Sequence, residues 1–420
     1  MTIRVPLPLG RISVYPGFPG ISGDPVRRPL PALLCILVLC GGLATAQDKA
    51  PIVLGLHADM SSGSARSGEA IRRGVLLAIS EINAQGGLLG GRELELVVRD
   101  HHGVPTRATE QLPELASTPH LVALLTGLHS PPVIQNLRFI QEHQLVIVSP
   151  WAAATGLIHH GLTPSYTFRV SPDDARVGEF LVAQALARGH TRFGLILEKS
   201  AWGRSNEKAL LEALARRRMA PASVQWINLA DEDLEEKLAE VERAGADSLL
   251  LVVNAPEAVG LVKALAGRPE DKRLPIYSHF GLCGGDFAEQ VGASLSRVEL
   301  HMVQTFSFLE ARSARARSVL AKYHALFGTT SEAQVFSAMG TAQAYDAVWL
   351  LALAIQKARS TERARVRDAL ERLGPYQGLV RTYQSAFTPS RHEALAPSDF
   401  KLATFDSRGV LVPSQRGTSP

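Results

Sequence analysis

One segment, EINAQGGLLGGRELELVVRD at residues 81–100, constrains the fold of this chain more than any other. The apolar residues that lead into it recur at helical spacing and predict an amphipathic helix, which Gly86 and Gly87 bring to an end. The short apolar run at 94–98 then predicts a buried strand. A similar run at 52–56 precedes the helix. The unit is therefore strand, helix, strand, which favours a parallel sheet.

The glycine run is not that of a nucleotide-binding loop. It lacks the Gly-Lys-Ser/Thr ending of a phosphate loop. It also follows a helix and precedes a strand, whereas a dinucleotide fingerprint follows a strand and opens a helix. We therefore interpret the glycines as a helix stop and a turn, and we expect no cofactor there.

Together with the preceding PIVLGLHADMSSGSARSGEAIRRGVLLAI, this segment resembles the opening of the type I periplasmic binding proteins. It is similar in particular to the branched-chain amino-acid (Leu/Ile/Val) receptor family of ABC importers. The shared pattern is a strand, a Ser/Gly loop, a long helix ending in Glu-Ile-Asn, a Gly-Gly-x-x-Gly turn and a strand ending in Arg-Asp. The resemblance implies an α/β fold of two doubly wound parallel-sheet lobes, joined by a three-crossing hinge, with the ligand in the cleft between them.

The rest of the chain continues to alternate between strands and helices. Strands are predicted at 121–126, 145–148, 166–170, 192–197, 223–229, 248–253, 275–278 and 298–303. Helices are predicted at 132–142, after a cap at Ser171, and at 205–217, 233–243, 256–266 and 333–358. This number of strands is larger than one doubly wound sheet usually contains, which also favours two lobes.

The resemblance also implies where the lobes divide. It assigns 47–171 and 302–375 to lobe 1, 172–301 and 376–412 to lobe 2, and 413–420 to a tail. The three crossings are expected near 170–172, 302–308 and 374–378.

The amino terminus predicts export. The run PALLCILVLCGGLATA at 31–46 is apolar but too short for a permanent membrane anchor. It follows Arg27 and Arg28 and ends in Ala-Thr-Ala, which is typical of a signal-peptidase site. We therefore expect residues 1–46 to be a signal peptide, cleaved after Ala46, and the mature protein to reach the periplasm.

Two alternatives concern this leader. Its first 26 residues are long and proline-rich for a signal peptide, so a misassigned start codon, with Val26 as the true start, is a hypothesis. A lipid anchor on Cys40 is the other alternative, although Leu39 is bulkier than the residue that a lipobox carries before its cysteine.

Composition bounds the partners. The net charge of the whole chain is +4, and loss of the leader removes four arginines and one aspartate, which leaves about +1. Bulk charge therefore gives no reason to expect nucleic acid or membrane lipid as a partner. Cys283 is alone after cleavage, so no internal disulfide can form. We expect a monomer, and no second membrane-spanning segment.

Ligands of open α/β sheets bind beyond the carboxyl ends of the strands, so the loops there are the candidates. The loop at 59–68 includes Ser64 and Ser67, whose hydroxyls and neighbouring N–H groups at a helix start suit a carboxylate. A helix cap within a solvated loop is the alternative. In the family that this chain resembles, the serine that matches Ser130 commonly holds the carboxylate of the ligand.

A third loop, at 149–155, aligns with the family's Ser/Thr-Pro-x-Ala-Thr loop, whose backbone and hydroxyl also hold the carboxylate. The alignment implies such roles for Ala153 and for Thr155, which lies two positions later than the family's threonine. Trp151 is the other departure. Its indole offers an apolar or cation-binding surface to the cleft, with core packing as the alternative.

The second lobe supplies further candidates. Trp202 matches the aromatic residue that closes over the ligand in the family, and Asn254 falls where the family presents another closing side chain. The segment at 278–282 occupies the place where amino-acid receptors carry an acid for the ammonium of the ligand. Here that acid is missing, with His279 and Phe280 at or beside its position.

The missing acid bears on the ligand, since an unpaired buried ammonium costs on the order of several kcal/mol. His279, Asp286 or Glu198 could substitute, and the sequence does not choose among them. A carboxylate or amide with an apolar or aromatic portion is therefore favoured over leucine, isoleucine or valine.

The sequence contains no clear motif of an enzyme or of a metal site. The histidine pairs at 101–102 and 159–160 precede glycines and are predicted to be solvated turn residues, because no further ligand completes a metal spacing. There is no Gly-x-Ser-x-Gly elbow. His392 and Glu393 lie in a segment that is predicted to be a surface loop.

The sequence thus predicts a secreted two-lobed receptor without metal or catalytic residues. It would capture a small polar organic molecule and deliver it to the membrane permease subunits of an ABC importer. A ligand-binding module of a sensory system is the alternative, and a hydrolase on the same kind of sheet is a third possibility.

Overall fold

The computed structural model describes residues 2–3, 50–228 and 231–414. The predicted leader, its cleavage point after Ala46, the alternative start at Val26 and the anchor candidate Cys40 lie outside the described residues. So does the tail from residue 415.

The first lobe is built on a six-stranded sheet in the order β1-β3-β2-β4-β5-β6. All neighbouring strands in it are parallel, except for β1, which pairs antiparallel with β3. The strands are Thr2–Ile3 (β1), Ile52–Ala58 (β2), Leu94–Asp100 (β3), Leu121–Thr126 (β4), Val146–Ser149 (β5) and Thr167–Arg169 (β6).

The second lobe has a seven-stranded sheet in the order β15-β14-β11-β10-β9-β7-β8. Its first five strands in the chain are parallel, and the last two are antiparallel additions at one edge. The strands, together with a separate two-stranded hairpin (β12 and β13), are Phe193–Glu198 (β7), Ser223–Ile227 (β8), Ser248–Val252 (β9), Ile276–Ser278 (β10), Leu300–Gln304 (β11), Tyr376–Gln377 (β12), Thr382–Tyr383 (β13), Lys401–Phe405 (β14) and Leu411–Pro413 (β15). The predicted fold class, two doubly wound α/β lobes, is confirmed.

Helices cover the two sheets. They are Ala65–Ala84 (α1), Pro105–Ala116 (α2), Pro131–Ile134 (α3), Leu137–Glu142 (α4), Asp174–Leu186 (α5), Ala201–Ala215 (α6), Leu234–Arg243 (α7), Ala255–Gly267 (α8), Phe287–Val291 (α9), Ala314–Phe327 (α10), Ala338–Ala358 (α11) and Arg363–Leu370 (α12). Short 3-10 turns lie at Thr155–Leu157, Glu270–Lys272, Phe280–Gly284, Gly292–Arg297, Glu332–Gln334 and Pro397–Asp399.

The glycine stop after α1 is confirmed. The helix ends at Ala84, and Gly86 and Gly87 follow with φ of 97° and 69°. A side chain at Gly87 would also place its Cβ 2.4 Å from the carbonyl oxygen of Arg92. Only glycine tolerates both a positive φ and so close a carbonyl oxygen at low energetic cost. The turn that leads into β3 therefore requires a glycine at position 87.

Four predicted helices differ from the structure by two residues or more at a boundary, because hydrogen bonds of nearby side chains begin or interrupt the helices at other residues. The helix predicted at 205–217 is α6, which begins at Ala201 because the hydroxyl of Ser200 accepts from the N–H of Gly203. The helix predicted at 132–142 is two short helices, and the Asn136 amide between them donates to the carbonyl of Pro132. Helix α5 is capped at Asp173, since the Ser171 hydroxyl donates to the carbonyl of Ala152. Helix α11 begins only at residue 338, after Ser337, whose hydroxyl accepts from the N–H of Gly340.

Helix α11 bears on the expectation that there is no second membrane-spanning segment. By length and composition it is long and apolar enough to cross a membrane. Most of it is buried, however, and its face packs along α1. The apolar character of α11 is therefore that of a core helix.

The segment predicted as a surface loop around residue 392 is buried instead. His392 and Glu393 are 5% and 3% exposed. The Glu393 carboxylate accepts a hydrogen bond from Arg169 at the end of β6 and pairs with Arg176 at 2.9 Å. A buried ion pair thus joins two segments that are distant in sequence, beside the predicted first crossing.

The lobe boundaries stay a prediction, and we propose one change to them. The hairpin after residue 375 packs on the first lobe, where the Asp346 carboxylate on α11 accepts from the N–H groups of Leu379 and Val380 at 2.6 and 2.9 Å. Phe387 likewise packs on Phe168 of β6. We propose that the third crossing lies near 395–400, where the chain leaves these contacts for β14.

Candidate functional site

The loops at the carboxyl ends of the two sheets meet around a small enclosed cavity. Its volume is about 10 Å³, which leaves room for roughly one water molecule. Six predicted site residues line it, three of them aromatic, together with two residues that were not predicted. The lining residues are Leu128, Trp151, Ala153, Trp202, Asn254, His279, Phe280 and Gly281.

Trp151 closes the cavity on the side of the first lobe and is 1% exposed. A glycine on α11 makes room for it: a Cβ at Gly340 would lie 2.1 Å from the indole ring. The ring centroid of Trp151 is 6.5 Å from that of Phe280 on the other lobe. The indole Nε1–H of Trp151 is buried and has no hydrogen-bond partner.

On the second lobe, one carboxylate holds two of the cavity walls in place. Asp174 Oδ1 accepts from Trp202 Nε1 at 3.2 Å and lies 3.1 Å from His279 Nε2. His279 Nδ1, on the other side of the ring, is buried without a hydrogen-bond partner. The sequence does not single out Asp174 as a site residue, since nothing local shows that Trp202 and His279 converge on it.

Four predicted serine and threonine contacts lie beside the cavity and not on its wall. Ser130 Oγ accepts from the N–H of Ala154 at 3.1 Å. Thr155 Oγ1 donates to Asp173 at 2.8 Å, and Ser67 Oγ donates to the carbonyl of Ser64 at 2.7 Å. These side chains hold their own loops in the present conformation, and their contact with a ligand stays a prediction.

The lobes are closed on one another. Arg66 at the start of α1 pairs with Asp286 at 2.8 Å and Glu289 at 2.6 Å on the second lobe. The backbones also approach closely, since a Cβ at Gly285 would lie 2.6 Å from the carbonyl oxygen of Gly63. Asp286, a predicted substitute for the missing acid, is thus engaged in a contact between lobes.

A larger cavity of about 540 Å³ lies between the lobes beside the predicted second crossing. Arg66 and Arg73 line it together with Phe336 and Phe405, and it includes none of the predicted ligand contacts. Its arginines already have partners, since Arg73 pairs with Glu69 at 2.7 Å. The small cavity is the better candidate site, because it lies where the strand ends converge and its walls carry unpartnered polar atoms.

Two carboxylates of the second lobe lie close to Asn254 of the cavity wall: Glu198 is hydrogen-bonded to it, and Glu257 follows it by three residues in the first turn of α8. Glu198 Oε2 accepts from Asn254 Nδ2 at 2.5 Å, and Glu257 Oε2 is buried without a hydrogen-bond partner. Burial raises the pKa of both carboxyls, and the neighbouring charge of Glu198 helps to raise that of Glu257 to about 7. Glu257 was not predicted, although its position just after the end of β9 is a signal that could have found it.

The raised pKa of Glu257 predicts a loss of stability as the pH rises. Below about pH 4.5 the carboxyl is protonated in the folded and the unfolded chain; between 4.5 and 7 only the folded chain keeps the proton, and above 7 it must carry a buried charge. Glu198 and His129 are the ionisable groups that act on it. The thermal unfolding temperature, measured from pH 5 to 8, should therefore fall less steeply with pH in Glu257→Gln than in the wild type. Identical slopes would contradict the assignment.

One histidine of the predicted solvated pairs is buried. His101 is 1% exposed and packs edge-on against His57, with ring centroids 4.9 Å apart, whereas His102 and His159 are exposed as predicted. Burial lowers the pKa of His101 to about 3 and that of His57 to about 4, so both rings are neutral. Within the described part of the chain, no group of three or more potential ligands is placed to hold a metal ion.

Comparison with known proteins decides the family. The model of the periplasmic binding protein family matches residues 51–409, which is most of the chain. This chain belongs to that family. It is a type I periplasmic binding protein of the branched-chain amino-acid type, and the relatives are small-molecule receptors of ABC transporters.

Individual relatives share little sequence identity with this chain, but the matches extend over most of both chains. The chain is 22% identical to the Leu/Ile/Val-binding protein homolog 2 of Brucella abortus, over 83% of this chain and 88% of that protein. A branched-chain amino-acid receptor of Streptococcus pneumoniae, solved in complex with isoleucine, superimposes with a TM-score of 0.72 at 20% identity, over 87% of this chain and 100% of that one. A solute-binding protein of Rhodopseudomonas palustris, solved in complex with benzoate, superimposes with a TM-score of 0.71 at 18% sequence identity. The match covers 87% of this chain and 95% of that one.

Proposed function

We propose that this chain is the periplasmic receptor of an ABC importer, which captures an amino acid or a related small carboxylate or amide between its lobes. The observation that carries the proposal is the cavity whose walls come from both lobes, Trp151 from the first and Trp202 and Phe280 from the second. A ligand that touches both walls favours the closed state, which the membrane permease subunits then recognise.

The walls indicate the kind of ligand. Three aromatic rings suit an apolar or aromatic body, and the unpartnered Nε1–H of Trp151 is a donor for a carboxylate or amide oxygen. The relatives named above were solved with isoleucine and with benzoate, so the fold accommodates both kinds of body. Because the cavity holds only about 10 Å³, ligand must enter with the lobes apart and the rings displaced.

The first test is a thermal-shift screen of amino acids, aromatic acids, amides and amines, with small-angle scattering on the strongest hit. A ligand at one hundred times its Kd adds about 2.7 kcal/mol to the free energy of unfolding, which gives a clear shift. The radius of gyration should fall when the hit is added. Arg66→Ala, which removes an interlobe ion pair, should have the larger radius without ligand. An unchanged scattering profile at saturation would contradict closure.

The same sample tests for turnover. A receptor returns its ligand unchanged, so the hit should be recovered intact after prolonged incubation with the protein. Chemical conversion of the hit would favour the hydrolase interpretation.

We further propose that the mature protein is soluble in the periplasm and begins at Gln47. Mass spectrometry of the protein isolated from the periplasm should give the mass of the chain from that residue. An acylated Cys40 at the amino terminus would instead show a tethered receptor, and a longer chain that begins before Val26 would reject the alternative start.

A further inference from the structure

We propose that a pocket of the first lobe, away from the small cavity between the lobes, binds a small carboxylate with a flat apolar body as a second ligand. The pocket has a volume of about 480 Å³ and lies between α1, α10, α11 and the hairpin of β12 and β13. A volume of this size is typical of small-molecule sites. The inference goes beyond the function proposed above and does not depend on it.

The pocket is separate from both cavities between the lobes, with which it shares no lining residue. Glu81 on its rim lies near the carboxyl end of α1, whereas Ser67, beside the small cavity, lies in the first turn of that helix. At a helical rise of about 1.5 Å per residue, the two residues are about 21 Å apart. A small ligand in this pocket therefore does not touch the small cavity.

Three residues that line the pocket carry a buried polar atom without a hydrogen-bond partner. These atoms are Arg315 Nε, Trp349 Nε1 and Tyr376 Oη. The first two can only donate. Burial raises the pKa of Tyr376 above its ordinary value, so the phenol also keeps a proton to donate. A set of donors without acceptors calls for a group with several lone pairs, which a carboxylate supplies.

Charge points in the same direction. The Arg315 guanidinium donates to the carbonyl of Gln377 at 2.5 Å and to the hydroxyl of Tyr345 at 3.3 Å, both of which are neutral groups. Among the ion pairs of residues 50–228 and 231–414, none includes Arg315. The carboxylate of Glu81 is engaged elsewhere, since it accepts from the Tyr345 hydroxyl at 2.5 Å and lies 3.5 Å from Lys322 Nζ.

Asp346 on α11 is a further carboxylate whose charge acts on Arg315, but it does not face a ligand. It is fully buried, and its oxygens accept from the N–H groups of Leu379 and Val380 and from the hydroxyl of Tyr383. An incoming carboxylate would therefore be the direct ion-pair partner that Arg315 lacks.

The walls of the pocket suit a flat body. The Arg315 guanidinium lies over the rings of Tyr345, Trp349 and Tyr376, at 5.5, 5.3 and 5.0 Å from their centroids. The planes of Trp349 and Tyr376 are 25° apart. The rings cover the three donors in this conformation, so the carboxylate reaches them when the Tyr376 ring moves aside. Tyr376 lies in a strand of two residues, which holds it by few backbone hydrogen bonds.

Fluorine NMR of the mature protein, labelled with 5-fluorotryptophan, reads this pocket directly. The chain has four tryptophans, and the signal that is lost in Trp349→Phe belongs to the pocket. Benzoate and 3-phenylpropanoate are the probes, and the corresponding neutral amides are the matched controls. At neutral pH at least one acid should shift the Trp349 signal and bind at least about tenfold more tightly than its amide, as one charge-assisted hydrogen bond implies.

Two variants locate the effect. Arg315→Met removes the charge and should weaken the response of the Trp349 signal to the acid at least about tenfold, without changing the response of the Trp151 and Trp202 signals. Tyr376→Phe removes only a hydroxyl that has no partner in the folded protein, so it should fold normally and weaken the response about fivefold.

Arg317→Met is the matched control, since Arg317 is an exposed arginine on the same helix, α10, and should respond like the wild type. Thermal unfolding verifies that each variant is folded. Tyr376→Phe keeps the proposal testable if Arg315→Met fails to fold.

The outcomes are separable. A Trp349 signal that neither acid shifts, or that shifts equally in the wild type and in both variants, overturns the second site. Equal affinity for an acid and its amide rejects the ion pair, and a response to inorganic phosphate alone rejects the carboxylate. Each of these results leaves the receptor function standing, because that function is judged by the thermal-shift screen and by the response of the Trp151 and Trp202 signals.

Discussion

Replacing Arg169 with methionine should lower the free energy of unfolding by about 3–5 kcal/mol, because it removes the buried cation shared by Asp173 and Glu393 and leaves Glu393 with only the partly exposed Arg176 as an arginine partner. Arg169 has no exposed surface, pairs with Asp173 at 2.8 Å and donates to Glu393 and to the carbonyl of Ala153. Denaturant unfolding of the mature protein measures the loss. If the crossings lie where we predict and propose them, the same substitution should also weaken the hinge, since the ion pair joins the predicted first crossing to the segment that leads into the proposed third.

Two further variants make this prediction specific. Arg408→Met removes an ion pair whose arginine is 77% exposed, and it should cost less than about 1 kcal/mol. The double variant Arg169→Met/Glu393→Met removes one of the stranded charges and should recover part of the loss. A loss for Arg169→Met no larger than that for Arg408→Met would show that the buried pair is not a structural requirement.

Replacing Trp202 with alanine should have two effects: it should weaken ligand binding strongly, and it should lower the stability of the protein. The side chain is 7% exposed, packs edge-on against His279 at 5.0 Å and donates to Asp174. Loss of a buried tryptophan costs about 3–5 kcal/mol of stability. Loss of a central aromatic contact should weaken the strongest screening hit on the order of a hundredfold.

Binding and folding are distinguished by two other substitutions. Trp202→Phe keeps a smaller aromatic wall and removes the hydrogen bond to Asp174, so it should retain more of the affinity than Trp202→Ala does. Trp349→Ala truncates a half-buried tryptophan that stacks on Tyr376 away from the small cavity, so it should reduce stability without changing the affinity of that cavity. Equal ligand affinity in Trp202→Ala and the wild type would place the ligand elsewhere, with the larger cavity beside Arg73 as the next site to test.

Regular elements were the most predictable part of the fold. Strand β4 was predicted at its observed bounds, and the glycine stop after α1 lies where the sequence indicated, because both depend on neighbouring residues alone. The helix cap predicted at Ser171 failed, since the competing acceptor, the carbonyl of Ala152, is brought near only by the folded chain. The surface loop predicted around Glu393 failed for the same reason, because its partner Arg169 is more than two hundred residues away.

The sequence by itself determined the alternation of strands and helices, and therefore the strand ends at which Trp151, Trp202 and Asn254 lie. Those positions follow from local periodicity, which the folded state does not alter. Only the tertiary structure decided which polar groups stay unpaired. Asp174 accepts from the donors of Trp202 and His279, whereas Glu257 Oε2 has no hydrogen-bond partner, because hydrogen bonds between distant loops depend on how the two lobes pack.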